Sequence, residues 1–216
     1  MLVTQAKLDI IKGKNQDAVT LLWSVLNLDT NYLPAYSQLY QLSNQGFGTE
    51  KFVNHVEKIL IAQPDRSTMR NLLADTYLQN GQRDKAIFHY QKLQQLKHYP
   101  NAAAVLNNLA FMAIDQDLSK ALDLVNQGLA IAPKSASLLD TKGWITAQQG
   151  QYDQALELLR QAYSTDSNDP SIRYHIAYTL NKLGRVNEAK LTLEQAFDLN
   201  IPFIEAEAAK SLQQSL

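Results

Sequence analysis

Residues 136–169 read ASLLDTKGWITAQQGQYDQALELLRQAYSTDSND, and residues 170–203 follow in the same phase with PSIRYHIAYTLNKLGRVNEAKLTLEQAFDLNIPF. In the first stretch Leu138, Leu139, Gly143 and Thr146 fall at helical spacing, Gln149-Gly150-Gln151 interrupts, and Tyr152, Ala155, Leu159 and Ala162 resume the pattern. In the second, Ile172, Ile176, Ala177 and Leu180 precede the break Leu183-Gly184-Arg185, and Ala189, Leu193 and Ala196 follow it. Each stretch therefore reads as two helices joined by a tight turn. Gly13, Gly81, Gly150 and Gly184 recur at that turn, where a left-handed residue ends the first helix without steric cost. Asp117 is expected at the same place in the fourth unit, whose turn is one residue shorter.

The pattern extends outward over the whole chain. Ala18, Phe52, Ala86, Ala121, Ala155 and Ala189 recur at spacings of 34, 34, 35, 34 and 34 residues. A second series, Ala6, Tyr40, Ala74, Ala110, Gly143 and Ala177, runs ahead of the first, giving each unit two contact points one helix apart. This is the layout of a two-helix solenoid unit, which buries its apolar face only against its neighbours. The reading is an all-α single domain over 1–216: units at about 1–32, 33–66, 67–101, 102–135, 136–169 and 170–203, then a capping helix over 204–216. Thirteen helices and no strand are expected, with the alanines buried where paired helices touch. The first unit begins in phase but short. It reads as the truncated end of a longer array, with an apolar edge at Leu2, Leu8 and Ile11 through which two copies could associate. The capping helix is expected to present Ile204, Ala208, Leu212 and Leu216 as one apolar stripe.

Twenty basic and 21 acidic residues give a formal charge of −1, which argues against a nucleic-acid protein, since none of the basic surface needed to displace counterions stands out. No stretch approaches a spanning helix and no secretory leader pattern opens the chain, so no direct membrane contact is expected within these residues. Cysteine is absent, which excludes disulfides, thiolate catalysis and cysteine zinc sites and leaves the compartment open. His55, His89, His98 and His175 stand in different repeats without a partner at metal-ligand spacing and read as surface or packing residues. The glycines are single and periodic, with no phosphate loop, and nothing places a nucleophile on a strained turn. No enzyme, metal or cofactor is expected.

These motifs resemble the tetratricopeptide repeat family, whose small residue, turn glycine, alanine and closing proline are met by Gly143-Gly150-Ala155, by Ala110-Ala121-Pro133 and, in the third unit, by Ala74, Tyr77, Gly81, Ala86 and Tyr90. The resemblance implies a right-handed superhelical solenoid. The second unit departs from the pattern with Tyr40 and Phe52 at both small-residue positions, and closing proline occurs only as Pro64 and Pro133.

In the resembled family the first helix of each unit lines a concave groove that binds a protein or peptide. Carried onto this sequence, the groove-facing positions give Asn71 and Asp75 in the third unit, and Asn107 and Phe111 in the fourth. They continue with Asp140 and Trp144 in the fifth, and Tyr174, Tyr178 and Asn181 in the sixth. An asparagine amide matches both the N–H and the C=O of an extended backbone. Large aromatic side chains are the usual anchors of an interface. The carboxylate clamp of some family members needs lysine and asparagine one turn apart on the first groove helix. Val3 and Lys7 stand there instead, so capture of a free acidic C-terminus is not expected.

The C-terminal half is also similar to bacterial tetratricopeptide proteins of exosortase and envelope-assembly systems, through Asn107-Asn108-Leu109-Ala110-Phe111, Leu139-Asp140-Thr141-Lys142-Gly143-Trp144 and Ile172-Arg173-Tyr174-His175-Ile176-Ala177. That likeness implies a periplasmic or lipid-anchored parent acting as a scaffold in exopolysaccharide assembly, with a cytoplasmic setting as the alternative. The leading function is an adaptor that takes a partner segment in its groove. A structural spacer or self-association module, and a regulatory arm of an enzyme lying outside these residues, are the alternatives.

Overall fold

The computed structural model describes residues 2–216. Among them it contains thirteen α-helices and no strand. They fall into two compact units, one running to Lys97 and one from His98 to Leu216.

The first unit holds α1 (Leu2–Ile11), α2 (Asn15–Leu28), α3 (Leu33–Asn44), α4 (Thr49–Ala62), α5 (Ser67–Gln79) and α6 (Arg83–Gln94). Ala6, Ala18, Ala74 and Ala86 are fully buried, as helices in close contact require. Phe52 occupies the alanine place of the second repeat and is also buried, whereas Tyr40 remains half-buried. The helices of that repeat, α3 and α4, accordingly approach each other over a shorter stretch than the two helices of any other repeat. Leu8 and Ile11 on α1 are exposed.

The second unit holds α7 (Ala102–Ala113), α8 (Leu118–Ile131), α9 (Ala136–Gln148), α10 (Tyr152–Thr165), α11 (Pro170–Lys182), α12 (Val186–Asp198) and α13 (Ala206–Ser215). Its core runs through Leu156, Leu159, Ala162, Ile172, Leu180 and Ala189, with a second cluster of Tyr174, Ala177, Leu193 and Ala209 under α13. Gly143 marks a close approach of two helices. A Cβ there would lie 2.7 Å from Leu159 Cγ and 3.3 Å from the Ala155 carbonyl oxygen, so α9 and α10 meet at a distance only glycine permits.

Two expectations are corrected here. Asp117 does not adopt the left-handed conformation of the turn glycines. Its backbone is extended, with φ −155°, and its carboxylate accepts a hydrogen bond from Lys120 N at 2.9 Å. The shorter turn leaves no residue to turn left-handed, and an N-cap starts α8 instead. The terminal stripe is also rotated. Ile204 and Ala208 are exposed, and the buried face is Ala209, with Phe203, Leu212 and Leu216 packed partly beside it. Helix α13 begins only at Ala206, so Ile204 lies in the preceding turn, outside the helical phase assumed for it.

Candidate functional site

Helices α9 and α11, the first helices of successive repeats, stand together along one face of the second unit. Their start is set locally at α11, where Asp169 caps the helix by accepting from Ser171 N at 2.8 Å and Pro170 occupies the first turn. The result is a cluster of rings. Trp144 stacks on His175 with centroids 4.3 Å apart and planes at 20°, and meets Tyr178 edge-on at 4.9 Å. Tyr174 lies 5.9 Å from Trp144 in a tilted arrangement. Lys182 Nζ sits 5.3 Å over the Tyr178 ring.

His175, expected only as a surface or packing residue, is the centre of this group. It is 2% exposed. Its Nδ1 is 2.8 Å from Asp140 Oδ1 on α9, and its Nε2 is 3.9 Å from Glu205 Oε1 in the segment leading to α13. Glu205 is held in turn by the Ser171 hydroxyl, which donates to Oε2 at 2.9 Å. Burial is the largest influence on the imidazole and works to depress its pKa. The charge and hydrogen bond of Asp140, with Glu205 and Asp169 behind it, outweigh burial and raise the pKa above its ordinary 6.5. When protonated, the ring donates from Nδ1 to Asp140 and places positive charge beneath the Trp144 indole face. Burial, followed by the charge of Glu205, pushes the Tyr174 phenol up.

The nine residues expected on a groove wall are placed unequally. Trp144, Tyr178, Asn181, Phe111 and Asn107 keep partial exposure on the first-helix face of the second unit. Asp140 and Tyr174 do not: they are 8% and 6% exposed, one bonded to His175 and the other packed against Ala177, Leu193 and Ala209. These two support the face rather than line it. Asn107 Oδ1 accepts from the Thr141 hydroxyl of the next repeat at 2.8 Å. No ring contact joins Phe111 to the Trp144 cluster among the described residues.

Asn71 and Asp75 belong to the first unit. Asn71 Nδ2 donates to Asp75 Oδ2 at 2.8 Å, and the Tyr90 hydroxyl donates to Asp75 Oδ1, so both side chains are already engaged with the protein. Burial raises the Asp75 pKa, against the lowering effect of those two hydrogen bonds.

One signal could have revealed the His175 network. Asp140 and His175 are 35 residues apart, and Ser171 and Glu205, like Asn107 and Thr141, are 34 apart, so complementary polar residues at one repeat length bond across repeats. Among the described residues no group of three or more His, Cys, Asp or Glu side chains has an arrangement that could hold a metal ion. Among the described residues no helix is long and apolar enough to cross a membrane.

Comparison with known proteins places this geometry. Family models described as tetratricopeptide repeat match residues 67–97 and 147–200. A TPR repeat-containing protein of Pseudomonas aeruginosa is 25% identical over 170 residues, covering 77% of this chain and 28% of its own length. Tetratricopeptide repeat protein 21B of Xenopus laevis is 28% identical over 149 residues, covering 68% of this chain and 11% of its own. The chain thus spans well under a third of the curated relatives it matches. The crystal structure of a tetratricopeptide repeat protein from Parabacteroides merdae superposes with a TM-score of 0.75 at 16% identity, over 99% of this chain and 82% of that one, and shares the fold.

Proposed function

From the premise that this chain belongs to the tetratricopeptide repeat family, whose fold typically serves as a non-enzymatic scaffold for protein–protein interaction, we propose that it binds a segment of a partner protein along the first-helix face of its second unit. The observation that carries this reading is the partly exposed Trp144–Tyr178 pair, held from beneath by the buried His175 and Asp140. A rigid, pre-positioned aromatic pair loses little rotamer freedom on binding and offers a large apolar area. Phe111, Asn107 and Asn181 extend the contact face, and Asp140 and Tyr174 support it, while Asn71 and Asp75 in the first unit bond each other and are no part of this face.

The test starts from a phage-displayed peptide library selected on the wild-type protein. A selected peptide should lose about 2 kcal/mol or more of affinity, roughly 30-fold, to Trp144→Ala, while circular dichroism of the variant stays helical. Peptides that bind Trp144→Ala and Tyr178→Ala as tightly as wild type would exclude this face.

Self-association is a second reading, favoured by the exposure of Leu8 and Ile11 on α1. Sedimentation should then show a dimer that Ile11→Lys dissociates. Placement of the scaffold in bacterial envelope or exopolysaccharide assembly rests on the sequence likeness of the Asn107–Phe111, Leu139–Trp144 and Ile172–Ala177 stretches. Co-purification of an envelope-assembly component from a bacterial host, lost with Trp144→Ala, would support it.

A further inference from the structure

Helices α2 and α4 border a cleft of about 650 Å³ in the first unit, lined by Trp23, Asn27, Lys51, Asn54, His55 and Lys58 among others. Lys51 Nζ lies 4.6 Å over the Trp23 ring, and His55 meets that ring edge-on at 4.9 Å. Neither Lys51 nor Lys58 makes an ion pair among the described residues, and one carboxylate, Glu50, lines the cleft with them. The clefts of the second unit differ. That along α10 sets Asp153 and Glu157 against Arg160 and Arg185, and in the one beside α12 Arg173 is spent on the Ser167 carbonyl and Gln195.

The repeat itself shows what the first cleft lacks. One repeat further on, Lys85 and His89 replace Lys51 and His55, and Glu57 stands where Trp23 stood. Glu57 accepts from the Tyr77 hydroxyl, Lys85 Nζ lies 4.9 Å over the Tyr77 ring, and the Glu57 charge reaches His89. There the preceding repeat supplies, through Glu57 on α4, a carboxylate beside Lys85 and His89 on α6. Beside Lys51 and His55 the first repeat supplies instead the Trp23 indole of α2, whose buried N–H makes no hydrogen bond. His55 reflects the difference: burial, then the charges of Lys51 and Lys58, hold its pKa below the ordinary value, and no carboxylate is among the causes.

We propose that this cleft binds an acidic segment of a partner protein, whose carboxylates pair with Lys51 and Lys58 beside Asn54, supplying the negative charge that Glu57 provides one repeat later. Lys51 and Lys58 are seven residues apart on α4, about 10 Å along the helix axis, so one small oxyanion does not answer both. Two carboxylates two to four residues apart in an extended segment span about 7–13 Å and do. This surface is separate from the Trp144 face, and the proposal stands or falls independently of it.

The probe is a fluorescein-labelled twelve-residue peptide with Glu at alternate positions among Ser and Gly, set beside its Gln counterpart and inorganic phosphate. The Glu peptide should bind in a salt-sensitive manner, perturb Trp23 fluorescence in a Trp144→Phe background, and weaken at least tenfold with Lys51→Gln/Lys58→Gln. Lys12→Gln/Lys14→Gln, which removes the same charge elsewhere, should leave binding unchanged. No measurable binding, equal binding of the Gln peptide, or equal loss in both lysine pairs would overturn the proposal. Displacement by phosphate at concentrations comparable to the peptide would also overturn it, by showing a site for free oxyanions.

Discussion

Replacing His175 with leucine tests whether the buried network holds the second unit together. The substitution puts an apolar side chain of roughly similar bulk in the site, so it creates little cavity, but it removes the hydrogen bond that His175 makes to the buried Asp140 carboxylate. Stranding one member of a buried pair costs about 3–5 kcal/mol, and loss of the ring stacked under Trp144 adds about 0.5–1.5 kcal/mol. Protonation of the abandoned carboxylate limits the damage, so a loss of about 3 kcal/mol at pH 7 is expected. Asp140→Leu/His175→Leu, which removes the charge with its partner, should be at least about 2 kcal/mol more stable than additivity of the two single changes predicts.

The assay is urea unfolding followed by Trp144 fluorescence in a Trp23→Phe background, so that the signal comes from the second unit alone. The pH dependence has a definite sign. A histidine whose folded pKa is raised contributes stability that is fully present below its ordinary 6.5 and is lost as pH rises through the folded value. The groups facing it are Asp140, Glu205 and Asp169, with Tyr174 beside it in the ring cluster. Wild type should therefore weaken from pH 6 upward, and His175→Leu should lack that component. A cost under about 1 kcal/mol, additive single changes, or an unchanged pH slope in the variant would refute the reasoning.

Gly143→Ala should destabilise the protein by about 1 kcal/mol in chemical denaturation: overpacking against the fully buried Leu159 costs about 1–3 kcal/mol, and alanine's better helix propensity returns about 1 kcal/mol. A variant as stable as wild type would mean that α9 and α10 separate freely. Asp117→Ala should cost about 1 kcal/mol through loss of the cap on Lys120 N, with hydrogen exchange rising first in the opening turn of α8. Thr141→Val should cost about 1 kcal/mol by leaving Asn107 Oδ1 without its donor, and thermal melting of the variant measures it.

The number, kind and pairing of the helices were legible because a solenoid repeats one local solution. The alanines at Ala86, Ala121, Ala155 and Ala189 must be small wherever paired helices touch, and glycine must recur wherever the turn goes left-handed, so both constraints are written at a fixed period. Where the period slipped, at the turn before Asp117 and in the segment leading to α13, the local phase was misread, since one residue rotates a helix face by about 100°. The aromatic face was half legible. Helical spacing brought Trp144, Tyr174 and Tyr178 onto one side, but only packing decided that Tyr174 lies beneath the surface while Trp144 and Tyr178 stay partly open. His175 and Glu205 were not paired by the spacing within either helix, because the 3.9 Å approach of Nε2 to Oε1 joins consecutive repeats, and only the one-repeat offset of complementary polar residues carries a trace of such contacts. Nor does spacing within one helix show the Lys51–Lys58 cleft, which α2 and α4 border together. The sequence determined which helices form and which faces they bury; the stacking of those faces alone decided which polar groups meet and which are left for a partner.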